Sequence, residues 1–137
     1  MNITRIVLAA LAAQVSYFLV GGIFFAIPAY KAEFEKFPAV YRGGKTSGSV
    51  MGLGMFGILI AIVTATTIFA LMHPAGAGMS AGLTFGVLLA VYQLGSFVLH
   101  NHMMLNISGR MSALQAGTYS AEWITVGVVI SLVYRGQ

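Results

Sequence analysis

SGSVMGLGMFGILIAIVTATTIFALM, the stretch from Ser47 to Met72, contains no charged residue and no proline. An α-helix needs about 20 apolar residues to cross a hydrocarbon core of roughly 30 Å, and this run is longer than that. Three other stretches resemble it: Thr4–Ile27, Met79–His100 and Ala113–Tyr134. In lipid the backbone must satisfy its own hydrogen bonds, so apolar runs of this length are expected to be helices. Short segments of alternating polarity, the mark of a membrane barrel, are absent. The expected fold is all-α: a four-transmembrane-helix antiparallel bundle, with helices at about 4–27, 47–72, 79–100 and 113–134, forming one domain over 1–137.

Composition agrees with that expectation. Hydrophobic residues make up 58% of the chain and charged residues 7%. A soluble domain carries about 25% charged residues because its surface faces water, so much of the apolar surface is expected to face lipid. There is no cysteine, which excludes disulfides, zinc–thiolate sites, iron–sulfur clusters and thiol nucleophiles. The first apolar run, from Ile6 past Phe25, is too long for the hydrophobic region of a cleaved signal and reads as a retained helix.

The connections carry the charge. Tyr30–Thr46 holds Lys31, Glu33, Glu35, Lys36, Arg42 and Lys45, and its Phe34 and Phe37 suggest an amphipathic turn at the membrane face. Gly43-Gly44 then releases the chain into the second helix. Glu33 and Glu35 read as solvated. The second connection, His73–Gly78, is tight, so the helices it joins are expected to be antiparallel neighbours. The third, Asn101–Ser112, contains Arg110. The basic first and third connections are placed in the cytoplasm and the termini, with Arg5 and Arg135, outside it. The setting is an inner (cytoplasmic) membrane. Basic residues gathered in one connection suit an anionic lipid surface, not nucleic acid.

Several residues stand out against the apolar background. Gly78, Gly82 and Gly86 recur every four residues, and Ala90 extends the series. Gly48 and Gly52 form a shorter version. Such grooves let helix backbones approach closely, either inside one bundle or against a partner. Glu122 is the one acid within an apolar run. At mid-membrane depth it costs about 2.5–3.5 kcal/mol on insertion scales, so it needs a partner, a proton or water. Gln115, Thr118, Glu122 and Thr125 share its helical face. Gln93, Ser96 and His100 form a matching stripe on the third helix, at a depth where Gln93 is expected to meet Glu122. Gln14 and Tyr17, with Thr64 and Thr67, add polar atoms for a small internal cavity or ligand site. Trp123 lies too deep for an aromatic belt, whereas Tyr30, Tyr41 and Tyr134 suit the interface. His100 and His102, with Met103 and Met104, offer soft ligands for copper or haem iron. A pair at i, i+2 does not share a helical face, so that reading stands behind the others. No catalytic constellation is present: the chain has no aspartate, and Gly44-Lys45-Thr46 lacks the frame of a phosphate loop.

The pattern Ala9-Ala-Leu-Ala-Ala13, then Gly21-Gly22 and Pro28, with Leu114-Gln-Ala-Gly-Thr-Tyr119 leading into Val126-Gly-Val-Val129, resembles a bacterial family of small four-helix membrane proteins, domain of unknown function 1761. The resemblance implies a four-helix membrane fold and assigns no chemistry.

The functional expectation is therefore a non-enzymatic membrane protein. The first reading is an accessory or scaffolding subunit, assembled as a homo-oligomer or within a larger complex, or a holder of a small ligand in the bilayer. The alternative is a proton-coupled carrier of small solutes using Glu122. A metal- or haem-binding protein using His100 and His102 is the third.

Overall fold

The computed structural model describes residues 2–42 and 47–134. Gly43, Gly44, Lys45 and Arg135 fall outside them. The described residues are helical, with no strand among them. The helices are α1 (Ile3–Phe25), α2 (Pro28–Phe34), α3 (Gly48–Met72), α4 (Met79–Gln93), α5 (His100–Met104) and α6 (Gly109–Val133). Leu94–Leu99 wind as a π-helix between α4 and α5, so Met79–Met104 forms one continuous helical span. Four spans are long and apolar enough to cross a membrane: Ile3–Phe25, Gly48–Met72, Met79–Met104 and Gly109–Val133.

Local chemistry explains where the ends fall. Asn2 caps α1, its side chain accepting from the Arg5 N–H at 3.2 Å. Pro28 does more than follow α1. It opens α2 near its first position, where the absent N–H costs nothing. The last helix begins four residues before the expected Ala113, because the Ser108 hydroxyl accepts from the Met111 N–H at 3.0 Å and starts α6 at Gly109.

α6 is the centre of the molecule. It packs against α4 on one side and α1 on the other, and α3 lies against α1. The core runs through Ala9, Ala10 and Ala13 of α1, Ile62 and Phe69 of α3, and Val126 and Ile130 of α6. The small α1 residues let it lie close to two neighbours.

The α4–α6 contact is backbone on backbone. A Cβ on Gly82 would meet the Ser131 side chain and come within 2.6 Å of the Gly127 carbonyl oxygen. A Cβ on Gly86 would lie 2.7 Å from the Ile124 carbonyl oxygen, and one on Gly127 would lie 2.5 Å from Gly86. Glycine on both helices makes this approach possible. Gly78, the outer member of the series, and Gly48 and Gly52 on α3 meet nothing within 4 Å.

The expected pairing of α3 with α4 holds only at their connection. Gly76 turns there with φ 82°, and Phe69 meets Phe85 edge-on at 5.3 Å. Beyond that contact the two helices part and leave a cleft. The reason is the seam: α6 offers Gly127 and Ser131 to the α4 glycines, so α4 closes on α6.

Candidate functional site

One face of α6 carries the polar chemistry. Ser108, Gln115, Thr118 and Glu122 follow one another at helical spacing, and Gln115, Thr118 and Glu122 are each at least 97% buried. Each residue of the row meets a side chain from α1, α2 or the segment after α2.

At the outer end, Ser108 donates to the Glu33 carboxylate at 2.7 Å while its oxygen caps α6. Lys36 also reaches Glu33 at 2.7 Å, and Arg110 stands 3.8 Å away. Hydrogen bonds from Lys36 and then Ser108 hold the Glu33 carboxyl below the usual carboxylate range. Glu33 is therefore covered and gripped, not solvated as its position in a charged connection suggested. One turn inward, Gln115 donates to the Tyr41 hydroxyl at 2.9 Å. Next, the Tyr30 hydroxyl lies beside Thr118, and burial pushes the Tyr30 phenol above its ordinary range. At the inner end, the Tyr17 hydroxyl donates to the Glu122 carboxyl. Gly21 of α1 leaves the room: a Cβ there would collide with Glu122 Oε1. Tyr17 also meets Trp123 edge-on, with ring centroids 5.8 Å apart.

Two atoms of this row have no protein partner among the described residues, Gln115 Oε1 and Glu122 Oε2, and Gln14 Oε1, Trp123 Nε1 and the Tyr134 hydroxyl share that condition. Buried polar groups are normally satisfied by protein or water, so the row has the character of a site for bound water or an exchangeable proton.

The structure separates residues that the sequence grouped. Glu122 faces the interior, but toward α1 and Tyr17, not toward Gln93. Gln93 lines the α3–α4 cleft. The stripe Gln93–Ser96–His100 does not form, because the π-helical stretch changes the residues per turn between its members. Ser96 is exposed and donates to the Tyr92 carbonyl at 2.7 Å. Thr125 and Thr67 fold back on the Ala121 and Val63 carbonyls of their own helices. Gln14 reaches across to α3 and donates to the Met55 carbonyl at 3.1 Å. The proposed common cavity of Gln14, Tyr17, Thr64 and Thr67 is therefore not one space. Tyr30 and Tyr134 are buried within the bundle. His102 pairs with Ser112 at 2.9 Å, and His100 is exposed. The described residues hold no group of three or more His, Cys, Asp and Glu side chains that could share a metal.

Sequence reasoning missed Tyr30, Tyr41 and Ser108. A signal was present: Tyr30, Phe34, Phe37 and Tyr41 recur at helical spacing, and the rings of three of them meet, with Tyr30–Phe34 centroids 5.1 Å apart and Phe34–Tyr41 centroids 4.4 Å apart. Comparison with protein-family models, with curated proteins and with solved structures finds no match for this chain.

Proposed function

We propose that this chain crosses a membrane four times, with α2 on the cytoplasmic side, and acts as a proton-linked carrier whose exchanging group is Glu122. One observation carries the reading: Glu122 stands at the inner end of a row of hydrogen-bonding side chains that begins at Glu33 and Ser108. An ionisable residue in a membrane helix marks a functional site by default. Here the acid has a hydroxyl partner, an unpartnered oxygen and a polar line toward one membrane face. The titratable groups facing it are Tyr17 from α1, Tyr30 from α2 and Tyr119 on α6 itself; no Lys or Arg among the described residues bears on it. Its charge is thus changed by a proton and not neutralised by a fixed cation.

Infrared difference spectroscopy tests this. The wild type should show a buried carboxyl band that changes with pH and shifts in heavy water, and Glu122→Gln should remove it. Tyr30→Phe should slow the isotope exchange. A carboxyl that neither titrates nor exchanges would end the carrier reading.

The accessory-subunit reading retains one specific support. Gly48–Gly57, the first part of α3, is exposed nearly all round, and none of its glycines meets a neighbouring side chain. The Gly82 and Gly86 faces no longer support it, since α6 occupies them.

A further inference from the structure

The α3–α4 cleft is a second feature, separate from the Glu122 row. It encloses about 460 Å³ between Thr64, Ala65 and Ile68 of α3 and Leu89 and Gln93 of α4, with Trp123 of α6 at its floor. That volume lies within the range of small-molecule sites, roughly 300–1,000 Å³. The walls are mostly apolar. The mouth opens sideways, past Tyr92 at 71% exposure and Ile68 at 44%. In a membrane such a mouth faces lipid, so an occupant arrives from the bilayer and not from water.

Gln93 makes the cleft more than a gap between helices. It stands near the middle of the Met79–Met104 span, at mid-membrane depth. Its half-buried amide has no hydrogen-bond partner among the described residues. Polar side chains in apolar surroundings are costly unless paired, and glutamine in membrane helices usually bonds across to a neighbour. Thr64, opposite, donates to its own Ile60 carbonyl at 2.9 Å and leaves oxygen lone pairs but no proton for Gln93's acceptor. No bond forms to those lone pairs either, so the amide N–H pair is left to be satisfied along with the oxygen. The π-helical stretch starts directly after Gln93, and such local unwinding recurs at functional sites.

We propose that this cleft binds a membrane-dissolved molecule with an apolar ring or chain and a carbonyl group, the carbonyl accepting from the Gln93 amide and the apolar part lying against Trp123. This does not depend on Glu122 exchanging a proton.

Trp123 is the one tryptophan of the chain, so its fluorescence reports on the cleft and on the Tyr17 ring beside it. In lipid nanodiscs, menadione, a lipophilic dicarbonyl, should quench it saturably. Methylnaphthalene has nearly the same shape and no carbonyl, and should need roughly tenfold higher concentration to compete, the value of one hydrogen bond. Gln93→Leu should weaken menadione binding by a similar factor. Thr64→Phe, which adds bulk at an exposed wall, should abolish saturable quenching. The proposal is overturned if quenching rises without saturation, or if the hydrocarbon competes as well as menadione. It is also overturned if brominated lipid quenches Trp123 strongly and menadione does not displace it, since an ordinary acyl chain then fills the cleft. If these tests fail while the infrared band of Glu122 still titrates, the cleft reading falls and the carrier reading stands.

Discussion

α3 and α6 are the same length, 25 residues, and both contain glycines. Yet α6 is buried along one whole face, while the first part of α3 is bare. The difference lies in what stands opposite. Gly82 and Gly86 of α4 face Gly127 and Ser131, so small residues meet small residues and the two backbones approach. Gly48 and Gly52 have no such counterpart. A run of small residues on one helix permits close packing; a second run on another helix is what brings it about.

The largest expected effect probes the filled seam. Gly127→Leu would drive a side chain into the Gly82 and Gly86 backbone, and should cost about 3 kcal/mol, the upper end of usual overpacking penalties. Unfolding in graded denaturing detergent would measure it. A loss under ~1 kcal/mol would mean that the seam yields, and that α6 and α3 differ less than their contacts suggest.

Glu122 sharpens the contrast on the other face of α6. Glu122→Leu strands the Tyr17 hydroxyl and should cost about 1–3 kcal/mol. Glu122→Gln keeps the shape and a hydrogen-bonding amide, and should be almost silent in the same assay. Equal losses from the two changes would show that the site needs the acid itself for stability.

A smaller effect is expected where α2 fastens the start of α6. Glu33 has a lowered pKa when folded, so its contribution is complete above its unfolded pKa and disappears as pH falls through the folded value. Acidification should therefore loosen the first turn of α6, seen as faster hydrogen exchange at Met111 and its neighbours. Glu33→Gln should remove this pH dependence. Exchange at α3 should not follow it.

The smallest effect concerns the bare helix. Gly52→Leu should change stability by no more than ~0.5 kcal/mol, as for other surface sites. A loss as large as that of Gly127→Leu would reveal a partner on α3, and cross-linking would then show whether it is a second copy of this chain.

The four spans were legible in the sequence because unbroken apolar runs leave few alternatives. The seam at Gly82 was legible as a close contact, since the spacing indicated a groove, but not its partner. Gly127 stands alone on α6, and no periodicity marks it. Glu122 was legible as a buried acid because its cost in apolar surroundings demands explanation. Its partner was not, for two reasons. The π-helical stretch breaks the stripe that regular spacing drew from Gln93 to His100, and Gln93 itself lines the α3–α4 cleft. Tyr30, Glu33 and Tyr41 lie in a charged connection, and charge masked the one face on which they converge.

Tyr17 and Gly21 on α1 find their places only against Glu122 on α6. In the order of synthesis α1 is made before α6. At roughly 5–20 residues per second, on the order of ten seconds separates them on the ribosome. During that interval α1 has α2 and α3 beside it, and α4 has no glycine seam to enter. The nascent chain must then tolerate an unfinished tyrosine pocket until α6 arrives. A ribosome stalled before Gly109 should hold α1 and α3 together and leave α4 unattached.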